Sequence, residues 1–203
     1  MVLSSMAPLS YDVPRDHCLG FSAVGGKYMS RIPASWLSNV DMRRIVCHWT
    51  AGAYNPSEND LLHYHILIDG DGDLHRGTHT IADNESTGDG DYAQHTKGLN
   101  TRSIGVSVCC MADAKESPFK SGGFPMKQVQ WDAMIEVVAE LCKKYNVAIT
   151  PTTVLGHGEV QKNIGVVQNG KWDPMKLSFA SQLTKAQVGT KLRAEVQAHL
   201  STL

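Results

Sequence analysis

The stretch "LLHYHILIDGDGDLHRG", residues 61–77, decides what kind of fold this chain adopts. An apolar, β-branched run meets a Gly-Asp-Gly turn and a second short run follows, which is the pattern of a β-hairpin. Reading outward, "RRIVCHWTA" (43–51) and "SIGVSVCCM" (103–111) are apolar runs of strand length, continuous enough to be buried. "PMKQVQWDAMIEVVAELCKKYN" (125–146) changes the period. Trp131, Ile135, Val138, Leu141, Cys142 and Tyr145 recur at helical spacing with charges opposite, as in an amphipathic helix. Pro125 near its start and Lys143 and Lys144 in its last turn agree with helix polarity. "TTVLGHG" (152–158) predicts a short strand ending at His157. A last helix over about 184–200 places Val188, Leu192, Val196 and Leu200 on one stripe. Strands mixed with two flanking helices predict an α/β or α+β sheet covered by helices.

The bulk numbers narrow the class. A chain of 203 residues with 42% hydrophobic and 19% charged content forms one soluble globular domain with a core of its own. A net charge of −1 gives no general pull toward nucleic acid or an anionic membrane. Five cysteines (Cys18, Cys47, Cys109, Cys110, Cys142) fall at irregular spacings without a CxxC pair. They read as reduced, buried small hydrophobes rather than a metal knuckle or a disulfide frame. The opening run "MVLSSMAPLSYDVPRDHC" lacks the basic and apolar regions of a signal peptide. No segment approaches the ~20 apolar residues of a membrane span. Residues 1–40 are rich in Pro, Gly and Ser and predict an irregular N-terminal arm, with a short helix around "IPASWL". Residues 41–203 then form the functional domain. Within it, residues 83–102 read as a long surface loop, a length at which loops are often functional.

Nine histidines are the chain's unusual chemical resource. His48 ends one predicted strand and His157 another, where loops build sites on a rigid scaffold. Glycines on both sides of His157 let another group approach its ring closely. In an extended "Lys-Trp-Asp" segment, Lys171 and Asp173 point the same way and Trp172 the other. Two histidines and a carboxylate suit zinc with an open fourth position. Such a metal acidifies water and polarises a carbonyl, and a nearby lysine stabilises an oxyanion. A rival pair exists. His63 and His65, two apart on a strand, would share one face and Tyr64 would take the other. Periodicity does not choose between them.

Four stretches together, "IVCHWTA", "HYHILIDGDGDLHRG", "AQHTKGLNTRSIGVSV" and "LGHGEV…GKWDP", occur in one order over about residues 43–175. In this the chain resembles the zinc-dependent N-acetylmuramoyl-L-alanine amidases of the type 2 class, which include phage endolysins, cytoplasmic anhydro-muropeptide amidases and peptidoglycan recognition proteins. The resemblance implies an α/β fold with a central mixed β-sheet flanked by helices, in a single domain of the amidase and peptidoglycan-recognition type. It implies Zn2+ held by His48, His157 and Asp173. Tyr64 would face the site, leaving His63 and His65 on the far side as core residues. Lys171 would stabilise the tetrahedral intermediate, and His95 and Asn100 would line the substrate groove.

The sequence departs from the family twice. Some branches carry a glutamate as general base on the strand where this chain has Ser107, which leaves proton transfer to Tyr64 and Lys171 with the metal. The usual glycine after "DP" is Met175, and about fifteen residues separate His157 from Asp173. The expected function is hydrolysis of the amide between N-acetylmuramic acid and L-alanine in peptidoglycan. A non-catalytic muropeptide-binding module and a zinc peptidase cutting within the stem peptide are the alternatives. The expected partner is peptidoglycan or a muropeptide, bound by a monomer without nucleic acid or membrane insertion. The expected setting is synthesis in the cytoplasm without a signal peptide and action on the cell wall after release or export, as for a phage endolysin.

Overall fold

The computed structural model describes residues 29–203. Most of the expected N-terminal arm, and Cys18 with it, lies outside the described residues. Within 29–43 the chain makes one 3-10 turn, Ala34–Trp36, where a short helix is expected. Arg31 and Ser30 tie this segment to the long helix through Glu136 and Glu140.

The strands are β1 (Arg44–Trp49), β2 (Ile66–Ile68), β3 (Leu74–Arg76), β4 (Ser103–Val108) and β5 (Val154–Gly156). They form one sheet in the order β3-β2-β4-β1-β5. The β2–β3 hairpin is antiparallel and every other pairing is parallel. The sheet is therefore mixed. Each parallel step needs a crossover: α1 (Glu58–His63) lies in the one from β1 to β2 and α2 (Gln128–Tyr145) in the one from β4 to β5, while α3 (Val160–Ile164) and α4 (Lys185–Leu200) follow β5.

Strand alternation divides the sheet into two chemically different faces. Ile45, Cys47 and Trp49 of β1 join Ile66 and Ile68 of β2 and Ile104, Val106 and Val108 of β4 in the main core. Trp131, Met134, Val138 and Leu141 of α2 and Val188, Leu192 and Val196 of α4 cover that face. Asn146 ends α2 in the left-handed region at φ 52°, a common device for closing a helix. The other face carries a smaller cluster of Val46, Leu155 and Val160, with His48, Gly105 and Ser107 beside it. His48 and Ser107 are partners in the β1–β4 register, so they emerge side by side. The described cysteines, Cys47, Cys109, Cys110 and Cys142, are free and buried. Burial pushes the thiols of Cys109 and Cys142 up to about 12, consistent with inert core residues.

The hairpin stretch needs a correction. Leu61, Leu62 and His63 are helical, and the strand begins only at Ile66. Ser57 caps α1: its side chain accepts from the Asp60 N–H and the Asp60 carboxylate accepts from the Ser57 N–H. This reciprocal cap nucleates a helix where the apolar run suggests a strand. His63 and His65 therefore do not flank Tyr64 on a strand.

Candidate metal centre

Three chain segments meet at the C-terminal ends of the parallel strands. β1 delivers His48, and the turn after β5 delivers His157. The 168–175 loop returns Asp173 between them. His48 Nδ1 lies 3.0 Å and His157 Nδ1 3.3 Å from Asp173 Oδ2. One candidate ligand atom from each of the three residues falls within 4.8 Å of the others.

Two glycines make this convergence possible. A Cβ on Gly158 would stand 2.8 Å from Trp172 Cα and 2.9 Å from its carbonyl carbon. Without one, the Gly158 N–H donates to the Asp173 carbonyl at 2.7 Å, so backbone lies against backbone and the carboxylate is brought to the ring. Met175, where the family's glycine is expected, is fully buried over this turn, its sulfur filling the space beside Gly156. On β4, a Cβ at Gly105 would strike the His95 ring at 2.6 Å, so glycine lets that imidazole lie against the strand.

The electrostatics follow from burial. His48 is fully buried, which drives its imidazole down to about 4, with the Asp173 contact opposing. Its ring is therefore neutral at neutral pH and has a lone pair to give. For Asp173, burial alone would raise the carboxyl, but the contacts with His157 and His48 hold it well below the usual carboxylate range. His95 Nε2 faces the Ser103 carbonyl at 3.2 Å, an acceptor, so Nε2 carries that ring's proton. Burial, and then the neighbouring His48, keep His95 neutral, which leaves its Nδ1 to accept from His48 Nε2 at 3.3 Å. That arrangement frees the lone pair of His48 Nδ1 for a cation held beside Asp173.

This donor set suits zinc. Two ligand atoms each about 2.0–2.1 Å from a tetrahedral zinc stand about 3.3 Å apart, close to the separations of both Nδ1 atoms from Oδ2. Two imidazoles and a carboxylate on a partly open cleft leave a position for a further ligand.

The cleft above the three residues has a volume of about 380 Å³ and is lined by Tyr64, Lys171, Trp172, Thr50, Gln94 and His95, among others. The Tyr64 ring centre is 5.1 Å from that of His48. Burial pushes its phenol well above the ordinary tyrosine range, and the charge of Asp173 adds to this. Tyr64 is a proton-bearing group at neutral pH. Trp172 stacks edge-on against Trp49 at 4.6 Å and forms a wall. Ser107 Oγ is buried without a hydrogen-bond partner of good geometry, although the Tyr64 hydroxyl is close enough to interact with it.

His63 and Asn100 sit differently from expectation. His63 is not on the far side: it lines the cleft beside Tyr64, with Nδ1 donating to the Asn59 carbonyl at 2.7 Å. His95 lines the inner wall while bonding behind His48. Asn100 lies beneath the 93–100 loop, where its Oδ1 accepts from the Thr96 N–H at 2.7 Å. His65 is buried on the far side, as expected, between Asn84 Oδ1 and the Gly105 N–H. Sequence reading passed over Gln168, which is buried and touches His157 Nε2 through Oε1 at 2.8 Å. An isolated glutamine in "GVVQNG" has no motif. The one signal it offered was its place between two candidate ligands.

Comparison with known proteins places this geometry. No curated protein matches the chain. Among solved structures it is similar to the N-acetylmuramoyl-L-alanine amidase LysC from Clostridium intestinale URNW. That match has 18% identity, a TM-score of 0.48, and covers 85% of this chain and 95% of that one. It is also similar to the Ph2119 endolysin from Thermus scotoductus MAT2119 bacteriophage Ph2119, at 18% identity and TM-score 0.45, covering 71% and 84%. A third is AmiD from E. coli in complex with the substrate anhydro-N-acetylmuramic acid-L-Ala-D-gamma-Glu-L-Lys, at 18% identity and TM-score 0.43, covering 58% and 48%. The model of one family, described as N-acetylmuramoyl-L-alanine amidase, matches residues 38–176, a span that takes in β1, the cleft and all three converging side chains. The chain belongs to the N-acetylmuramoyl-L-alanine amidase family.

Proposed function

We propose that the protein, a peptidoglycan amidase, works at the cleft around His48, His157 and Asp173, and that these three side chains hold zinc. The observation that carries this reading is the convergence of three donor atoms within 4.8 Å in a cleft lined also by Tyr64 and Lys171. Hydrolysis adds water across the amide between N-acetylmuramic acid and L-alanine. The C–N bond breaks, the lactyl carbonyl becomes a carboxylate, and the alanine nitrogen leaves as an amine that needs a proton. Bound zinc supplies Lewis acidity toward the carbonyl and makes water acidic at neutral pH.

The side chains divide the remaining work. Lys171 presents an ammonium to the cleft, where negative charge on the carbonyl oxygen is stabilised as it develops. Tyr64 keeps its proton because it is buried, so it donates a hydrogen bond to the oxyanion or a proton to the departing nitrogen. No carboxylate stands at Ser107, so the strand offers no general base there. His95 orients His48, and Asn100 braces the loop that carries His95. His95 lines the cleft itself, and Asn100 acts on it from behind. The substrate class is peptidoglycan or its muropeptides, met at the cell wall. Among the described residues no helix is long and apolar enough to cross a membrane.

The test is mass analysis of products from intact sacculi and from soluble anhydro-muropeptides, with and without zinc. Zinc-loaded protein is expected to release stem peptides that begin at L-alanine. A chelator or His157→Ala should reduce release at least 10³-fold, on the order expected for loss of a metal-activated reaction. Fragments cut within the stem would mean a peptidase. Saturable muropeptide binding without turnover at full zinc loading would mean a binding module.

A further inference from the structure

The residues between His157 and Asp173 hold a buried amide that the reaction above does not use. Gln168 is 6% exposed, while its neighbours Val167 and Asn169 are exposed. Its Nε2 donates to the Lys97 backbone carbonyl at 3.0 Å, and its Oε1 lies 2.8 Å from His157 Nε2. Its own backbone N–H donates to Gln161 Oε1 of α3 at 3.1 Å.

These contacts have only one consistent assignment. A carbonyl oxygen accepts and never donates, so the end of the amide facing Lys97 is the nitrogen. The oxygen then faces His157, and it too only accepts. His157 Nε2 must therefore carry the ring proton. In a ring with one proton the Nδ1 lone pair then faces the space beside Asp173 Oδ2, 3.3 Å away, where a cation takes the place of the proton that this carboxylate would otherwise accept from Nδ1.

We propose that Gln168 is a positioning residue that fixes the tautomer and ring angle of His157, so that Nδ1 is offered as a metal ligand. The inference rests on the reading of His48, His157 and Asp173 as a zinc site. It gives the loop between the two ligands a function beyond forming a wall. The amide nitrogen is anchored on the Lys97 carbonyl, 71 positions away, and the Gln168 backbone on Gln161 of α3. A side chain that only filled space would need neither anchor. Groups bonded to the far nitrogen of a ligating histidine hold its orientation and raise its basicity as a ligand. The Lys97 contact also links the 93–100 loop to the ligand loop, so the two sides of the cleft are held in one arrangement.

The test is zinc affinity of the full chain, stripped of metal and titrated against a chromophoric chelator, for the wild type, Q168M and Q168E. Nitrogen-detected NMR of the zinc-loaded wild type reads the His157 tautomer independently of any variant. Q168M keeps the volume but removes the acceptor, and is expected to weaken zinc about 10–100-fold. Q168E keeps an acceptor for His157 Nε2–H and is expected to retain more affinity than Q168M, with the zinc-loaded wild type showing His157 protonated on Nε2. Q168M within twofold of wild type, equal losses in Q168M and Q168E, or His157 protonated on Nδ1 would each overturn the inference. If Q168M does not fold, Q168E and the wild-type tautomer still decide it. A wild type that binds zinc no better than His157→Ala would instead sink the zinc-site reading itself.

Discussion

Lys171 and Tyr64 share one cleft but differ in environment, and that difference separates the roles proposed for them. Lys171 is exposed at the cleft's edge, so its ammonium is solvated until substrate covers it. Its attraction for a developing oxyanion then grows as water leaves, because the effective dielectric falls. The contribution is thus made mostly in the transition state. Lys171→Met, which keeps the stem and removes the charge, is expected to lower kcat about 10²–10³-fold. Zinc affinity should stay within about threefold of wild type, since Lys171 is not in the ligand set, and KM should change little. Steady-state kinetics on a soluble muropeptide beside chelator titrations checks this. A variant that lost zinc and kcat together would place Lys171 in the metal site rather than over the substrate.

At the scale of elements, the site depends on how closely the 172–175 segment lies against the turn after β5. Gly158 is the hinge of that contact. A methyl group there meets Trp172 main chain at 2.8 Å, and main chain gives way far less readily than the end of a side chain. Gly158→Ala is expected to push the segment outward and carry Asp173 away from both imidazoles. A functional constellation tolerates about 0.5 Å of error, so zinc affinity should fall at least tenfold. The overpacking itself should cost about 1–3 kcal/mol of stability. Chelator competition and thermal unfolding measure the two effects; unchanged affinity would show that the segment can shift without moving the carboxylate. The sequence made some of this readable and hid the rest. Glycines around His157 and the Lys-Trp-Asp spacing are local features, so His157, Lys171 and Asp173 could be named from them. Strand against helix at residues 61–63 was lost because Leu61 and Leu62 look like a strand. The Ser57 and Asp60 cap was the competing signal there. Gln168, His157 and Lys97 come together from separate parts of the chain. Their places follow from the sheet order and the loop path, which no local pattern records.

For the molecule as a whole, the polar face of the sheet makes stability depend on pH before any metal is considered. His48, His65 and His95 are all buried against that face. His65 is the clearest case. Its Nδ1 accepts from the Gly105 N–H at 2.9 Å and its Nε2 donates to Asn84 Oδ1 at 3.0 Å. A second ring proton would point at an N–H group, and burial drives the imidazole down to about 4. Burial lowers His48 to about 4 as well, and His95 well below its ordinary value. In the unfolded chain all three take up protons near pH 6.5. Between about pH 4 and 6.5 the unfolded state therefore binds more protons than the native one, so stability rises with pH through this window. Each histidine adds at most about 1.4 kcal/mol per pH unit. The depressed Asp173 carboxyl acts only below the unfolded carboxylate value of about 3.9, outside the window. Metal-free protein is thus expected to lose stability steadily from pH 7 to pH 5, read as a falling Tm or a falling denaturant midpoint at constant m. Near pH 5 the slope should exceed what one histidine can supply. A flat profile between pH 5 and 7 would mean that these rings are protonated in the native state, and the neutral, lone-pair-bearing His48 on which the metal centre depends would be lost with it.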